Sequence, residues 1–190
     1  EVKTALVTGM RDWKESIDIS GYGVLLDQMD ALYTDVVNYN PDLFYVASFI
    51  HSYNPDTNTV ISVKPKYDTA YSKADVEKYN AALDAAFAEA LPNQSGMSDL
   101  QKAMALHDYL AQHMYYNYLS DGETPGDKHN AYNALVEGTA VCQGYTLAYS
   151  DLLKKAGISF DFATSDAMNH MWSYVLIGGN WYHVDVTWDD

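Results

Sequence analysis

Val-Cys-Gln-Gly-Tyr-Thr-Leu-Ala-Tyr-Ser-Asp-Leu-Leu-Lys-Lys-Ala-Gly, residues 141–157, predicts a helix that opens at Cys142, runs to about Ala156 and stops on Gly157 as its C′ residue. Cys142 is the only cysteine among the 190 residues. Taken alone, a free cysteine reads as a small buried hydrophobe. At a helix start it reads differently, because unpaired N–H groups and the helix dipole favour the thiolate. The N–H of Cys142 itself is free at that position and is a candidate donor to an oxyanion. Gly138 and Gly144 flank the cysteine and read as leaving room for a substrate backbone.

Downstream, residues 159–164, 170–177 and 181–187 predict three strands, and Gly178-Gly179 marks a tight turn between the last two. A two-residue turn pairs Ile177 with Asn180. Continued outward, it sets Trp172 opposite Asp185 and His170 opposite Thr187. His170 and Asp185 are then diagonal neighbours on one face, roughly 7–8 Å apart at the backbone. One more or one fewer loop residue would put them on opposite faces. A thiol, an imidazole and a carboxylate on ordered elements are the parts of a cysteine nucleophile. His183 is the rival imidazole, read as a packing or hydrogen-bonding strand residue. Asp189 and Asp190 are rival carboxylates, read as solvent-facing beyond the apolar strand. His107 and His113 lie six apart on a helix, which is not the spacing of a metal pair, and His51 and His129 have no partner legible in the sequence. With no Cys-x-x-Cys, His-Glu-x-x-His, P-loop or dinucleotide motif, neither a metal nor a cofactor is expected.

Working towards the amino terminus, residues 131–137 predict a short helix and 119–129 a loop. Ser98 caps a helix to about Tyr116, lined by Leu100, Met104, Leu106, Tyr109 and Leu110. Residues 72–91 predict another helix, with Ser72 as its cap and Ala74, Val76, Tyr79, Leu83, Ala86 and Phe87 on its apolar face. Pro92-Asn93-Gln94-Ser95-Gly96 breaks it. Before that, a helix over 24–39 stops at Asn40-Pro41-Asp42, and strands over 43–51 and 59–63 flank a turn at 54–58. The 92–96 break is the best candidate boundary. It divides a mixed α/β accessory module, 1–95, from a unit over 96–190 that carries the chemistry, and the fold class is α+β.

Composition excludes several functions. The chain is 48% hydrophobic, enough for an ordinary core, and carries 17 tyrosines. Eleven Lys and Arg against 26 Asp and Glu give a formal charge of −15, which leaves no basic footprint for nucleic acid or an anionic membrane surface. The acidity reads either as a solvated surface or as a field that draws basic substrates. No stretch approaches the roughly 18 apolar residues of a membrane span. The chain starts at Glu1 without Met and stops at Trp-Asp-Asp directly after a strand. A removed leader and a continuation of the native chain are both expected on that basis.

Val-Cys-Gln-Gly-Tyr-Thr-Leu-Ala-Tyr (141–149), Leu-Leu-Lys-Lys-Ala-Gly-Ile (152–158), Asn-His-Met-Trp-Ser-Tyr-Val (169–175), Asn-Trp-Tyr-His-Val-Asp-Val-Thr-Trp-Asp-Asp (180–190) and His-Asp-Tyr-Leu (107–110) together resemble the bacterial transglutaminase-like superfamily. The resemblance covers roughly residues 98–190. It implies a papain-like core with the nucleophile helix packed on an antiparallel sheet, and a catalytic triad of Cys142, His170 and Asp185. This chain has Met171 and Ser173 where the family often has Ala and Asn, a departure that bears on the acyl pocket. The implied chemistry is acyl transfer, with Tyr132 as the candidate side-chain oxyanion donor and Gln143 as the alternative. Hydrolysis, as a protease or amidase, is favoured over cross-linking, because water is always available. The expected substrate is a protein or peptide, including cell-wall peptide, and the expected location is extracellular or at the cell surface. The alternative is a non-catalytic surface binding or scaffold module with the triad inherited and idle.

Overall fold

The computed structural model describes residues 1–118 and 128–189. Most of the loop expected at 119–129, and the rival carboxylate Asp190, lie outside the described residues. The chain divides into two compact units, Glu1–Asp75 and Val76–Asp190.

In the first unit, helices α1 (Val2–Arg11) and α2 (Met29–Asn38) accompany a three-stranded antiparallel sheet, β1 (Ile17–Asp18), β2 (Val46–Asn54) and β3 (Thr59–Tyr67), in the order β1-β3-β2. Leu6, Met10, Val36, Leu43, Val60 and Val63 are buried in it. Trp13 stacks on Tyr45 at 4.3 Å, and the Tyr45 hydroxyl donates to the Met10 carbonyl. The helix expected at 24–39 begins with a 3₁₀ turn at Leu26–Gln28 before α2.

Helix α3 (Lys73–Ala90) starts at the end of the first unit and lies mostly in the second. The Tyr79 hydroxyl donates to the Asp151 carboxylate at 2.7 Å in the interior, and Asp84 pairs with Lys155. A buried hydroxyl–carboxylate bond is costly to break, because its parting leaves two desolvated polar groups. It places residues 76–91 with the chain that follows them, so the break at 92–96 falls inside the second unit.

The second unit is α+β. Helix α4 (Asp99–His113) opens with a capping box in which Ser98 Oγ accepts from the Gln101 N–H and Gln101 Oε1 accepts from the Ser98 N–H. It ends three residues earlier than expected. Met114 is extended and buried, and Tyr115–Tyr116 form strand β4, paired in parallel with β5 (Thr139–Ala140). The short helix expected near 131–137 is a π-type turn over Asn133–Glu137, ended by Gly138 at φ +69°. Helix α5 (Cys142–Ala156) ends on Gly157 in the left-handed conformation, as expected. Gly144 through Leu153 are all buried, so α5 is the central helix of the unit.

The strands β6 (Phe160–Ser165), β7 (His170–Ile177) and β8 (Asn180–Val184) form an antiparallel sheet with β7 central. Gly178 and Gly179 both have positive φ, which two-residue hairpin turns demand, and Ile177 pairs with Asn180 as the turn requires. The pairing ends at Ser173–Val184, short of the expected residue 187. Asp185 Oδ1 accepts both the N–H and the hydroxyl of Thr187, and this local bond turns the chain into a 3₁₀ segment, Val186–Trp188. Short polar side chains compete with the ladder in just this way.

Candidate active site

Cys142 is the first residue of α5, after the extended Val141. Two contacts fix that start. The Val141 N–H donates to the Lys128 carbonyl at 3.0 Å. The Thr146 hydroxyl, one turn into α5, shares its proton between the Cys142 carbonyl at 2.8 Å and the Met171 carbonyl at 3.0 Å. Thr146 thus ties the residue bearing the thiol to the residue next to His170 across the helix–sheet contact.

Gly144 serves the protein's own backbone rather than a substrate's. A Cβ there would lie 2.5 Å from the Ala140 Cβ and 3.0 Å from the carbonyl oxygens of Lys128 and Asn130. Gly144→Ala gains about 1 kcal/mol in helix propensity but incurs overpacking worth roughly 1–3 kcal/mol against backbone that cannot swing aside. A lowered thermal midpoint is therefore expected. An unchanged or raised midpoint would show that the 128–130 segment yields.

His170 opens β7, opposite Ser165. Before it, Asn169 has φ +46°, a left-handed conformation that Asn tolerates, and closes the β6–β7 turn. His170 Nε2 lies 2.6 Å from Asp185 Oδ2. Side-chain exposure is 12% for His170 and 23% for Asp185, so the pair is half shielded from water. The other Asp185 oxygen is held by Thr187, so both carboxylate oxygens are committed. A carboxylate only accepts, hence Nε2 carries the proton and Nδ1 is left as the basic nitrogen. Trp188 Nε1 also lies 3.2 Å from Nε2, edge-on to the ring. Nε2 cannot donate to Asp185 and accept from Trp188 at once. The 2.6 Å contact to a carboxylate is the stronger, so Trp188 contributes packing. Trp172 stacks on the imidazole at 5.8 Å.

Cys142 and His170 line one cavity of about 390 Å³, with Tyr116, Gln143, Asn169 and Met171 among its walls. Gln143, the alternative oxyanion candidate, is therefore in the cavity wall. Tyr132 is 7% exposed, directly precedes the π-type turn and is outside that lining. Of the two departures from the family pattern, Met171 lines the cavity and Ser173 is buried away from it at 1% exposure.

The rivals His183 and Asp189 have other partners. His183 Nδ1 accepts from Trp172 Nε1 at 2.7 Å, and its ring lies 4.3 Å from Tyr174, as fits a hydrogen-bonding strand residue. Asp189 faces His107 at 3.2 Å, and His107 also bonds Asp108. His113 meets the Tyr109 carbonyl and Glu89. His129 lines the Cys142 cavity, and His51 lies on β2 opposite Val63 in the first unit. Among the described residues, no group of three or more His, Cys, Asp or Glu is arranged to hold a metal ion.

Two residues that sequence reasoning passed over stand out. Thr187 had a legible signal, because Asp-x-Thr favours an Asx turn. Tyr116 had none, since only the β4–β5 pairing brings it to the cavity wall.

Comparison with known proteins follows the same residues. No curated protein matches the chain. Among solved structures, the crystal structure of a TGase is similar over 75% of this chain and 44% of its own length, at 13% identity and a TM-score of 0.52. That likeness shows a shared fold. A cysteine-protease candidate from Cytophaga hutchinsonii aligns over 74% of this chain and 61% of its own, at 12% identity and a TM-score of 0.41. The periplasmic domain of TgpA from Pseudomonas aeruginosa aligns over 68% and 54%, at 17% identity and a TM-score of 0.37. The chain thus spans less than two thirds of each of these structures. The sequence model of the transglutaminase-like superfamily matches residues 85–186, from within α3 to the turn that holds Asp185. This match covers more than half of the chain and includes Cys142, His170 and Asp185, and the protein belongs to the transglutaminase-like superfamily.

Proposed function

We propose that the protein is a cysteine-dependent acyl-transfer enzyme in which Cys142 is the nucleophile, His170 the proton acceptor and donor, and Asp185 the group that orients His170. The observation that carries this reading is the 2.6 Å His170–Asp185 bond, which leaves Nδ1 basic in a ring that shares a cavity with a thiol at the first position of a helix. The Cys142 thiolate attacks a carboxamide or peptide carbonyl. His170 takes the thiol proton and returns it to the leaving amine, and Asp185 stabilises the imidazolium in between.

The favoured acceptor of the acyl group is water, giving a protease or amidase, because amine transfer demands a second site that excludes water. The substrate class is a protein or peptide, cell-wall peptide included, met outside the cell or at its surface. The acidic surface disfavours polyanionic partners, and no helix among the described residues is long and apolar enough to cross a membrane.

The test is acylation by p-nitrophenyl acetate. A stoichiometric burst of nitrophenolate is expected, with the acetyl group on the peptide containing Cys142. Release should then proceed at a rate that millimolar primary amine does not raise. Amine-accelerated release would convert the reading to cross-linking. An unacylated Cys142 that also resists iodoacetamide would favour the idle scaffold over the enzyme.

A further inference from the structure

His107 of α4 lies outside the Cys142 cavity, and both of its ring nitrogens face carboxylates. Nδ1 is 3.0 Å from Asp108 Oδ1, and Nε2 is 3.2 Å from Asp189 Oδ2. The side chain is only 15% exposed and meets Tyr149 of α5 edge-on at 6.4 Å. Tyr149 is itself fixed, because it is buried and its hydroxyl donates to the Ala103 carbonyl at 3.1 Å. Packing therefore sets the imidazole plane, and the plane sets where its two N–H groups point. A carboxylate only accepts, so both contacts are hydrogen bonds at once only in the imidazolium. The two carboxylates belong to different parts of the unit. Asp108 is the next residue on α4. Asp189 is the C-cap of the 3₁₀ segment Val186–Trp188, where its N–H donates to the Val186 carbonyl at 3.3 Å.

That segment carries what surrounds the His170 ring. Asp185 caps its start and meets His170 Nε2 at 2.6 Å, and Trp188 at its end lies edge-on to the same ring. The bonds from Thr187 to Asp185 lie inside the segment, so they give it shape without placing it on the rest of the unit. Val186 is buried, and the contact between Asp189 and His107 is a polar tie to α4 directly after Trp188. We propose that His107 is a positioning residue for acyl transfer: by holding Asp189 it keeps the Val186–Trp188 segment in place, and so keeps Asp185 and Trp188 set on His170. The catalytic side of this assignment rests on Cys142, His170 and Asp185 acting as the triad. His107 acts at a distance from the substrate. It lines a second cavity, of about 500 Å³, with Met104, Tyr149 and Tyr182, and no described residue lines both this cavity and that of Cys142. A small displacement is enough to matter, since about 1 Å of misplacement caused far from the chemistry can cost on the order of 10²-fold in rate. The Asp189 side chain is 67% exposed, so the pair adds little to global stability, and its loss is expected in the rate rather than in the thermal midpoint.

Gln and Asn each keep one donor of the ring: the side-chain nitrogen of Gln reaches the place of Nε2, and that of Asn the place of Nδ1. His107→Gln is therefore expected to acylate with p-nitrophenyl acetate within a few-fold of the unaltered protein. His107→Asn should lose about 10–10²-fold in the acylation rate constant. Asp189→Ala should match the Asn variant, and the double variant should lose no more than either single one, because both remove the same bond. A second readout needs no reaction. The His170 Nε2 proton, in a 2.6 Å bond to a carboxylate, gives a far-downfield proton resonance, which His170→Ala identifies by its absence. The resonance should persist in His107→Gln and broaden in His107→Asn and Asp189→Ala. Equal rates for the Gln and Asn variants would overturn the assignment, since packing alone would then account for His107. Losses that multiply in the double variant would overturn it too. If His107→Asn fails to fold, the surface variant Asp189→Ala decides: unchanged acylation and an unchanged resonance would overturn the proposal. If the unaltered protein leaves Cys142 unacylated, the nucleophile reading falls and the catalytic role of His107 with it. The resonance then tells the two failures apart. If it still follows His107 and Asp189, it upholds their hold on His170; unchanged in every variant, it overturns that hold as well.

Discussion

Replacing His170 with Ala is expected to slow acylation of Cys142 by p-nitrophenyl acetate by on the order of 10³–10⁴-fold, the upper part of the range for loss of a positioned general base. His170 is the imidazole whose Nε2 proton is committed to Asp185 and which lines the Cys142 cavity. His183→Ala is the internal control. Its Nδ1 accepts from Trp172, which in turn stacks on His170, so any influence is transmitted through one packed ring. That variant should stay below the roughly 10²-fold loss that marks removal of a base. The comparison needs only stopped-flow release of nitrophenolate from three proteins of matched thermal stability. Equal losses would mean that the site depends on the integrity of the aromatic row rather than on His170 as a base. Nitrophenolate leaves without needing a proton, so the experiment isolates the base role from the later acid role.

Asp185→Asn should cost about as much, on the order of 10³–10⁴-fold in acylation, although it changes one atom; the comparable substitution in a serine triad has an effect of that size. The reason lies in Thr187. Its N–H and hydroxyl both donate to Asp185 Oδ1, so an amide at this position must turn its oxygen towards Thr187 and its NH₂ towards His170. An NH₂ opposite Nε2 requires Nε2 to accept, which moves the imidazole proton to Nδ1 and removes the basic nitrogen. Asp185→Ala leaves the tautomer free and should therefore be the milder of the two. The order of the two variants, read from the same burst assay, is the check. If the amide variant were as active as the original, Asp185 would be a structural turn residue only.

Much of this site is legible in the sequence because the signals are local. Cys142 at a helix start and Gly157 at its end follow from the chemistry of helix termini, and α5 runs between them as expected. The Gly178-Gly179 turn determines the β7–β8 register, since only positive φ at both positions gives a two-residue hairpin of the right twist. That register puts His170 and Asp185 on the same side, and a side-chain bond of 2.6 Å follows. The expected strand to residue 187 is too long because Asp185 bonds Thr187 locally, a choice that competes closely with the ladder.

What the sequence by itself determined, then, is the α+β class, the helix beginning at Cys142 and the order and facing of thiol, imidazole and carboxylate. Each depends on residues within a few positions of one another, where backbone sterics and capping decide the outcome. Only the tertiary structure decided the rest. The buried Tyr79–Asp151 bond assigns α3 to the second unit, the parallel pairing of β4 with β5 brings Tyr116 to the wall of the Cys142 cavity, and the carbonyls of Lys128 and Asn130 explain Gly144. These contacts join residues far apart in the chain, and their energy comes from burial and from satisfying polar groups that burial isolates, which no local pattern of residues encodes.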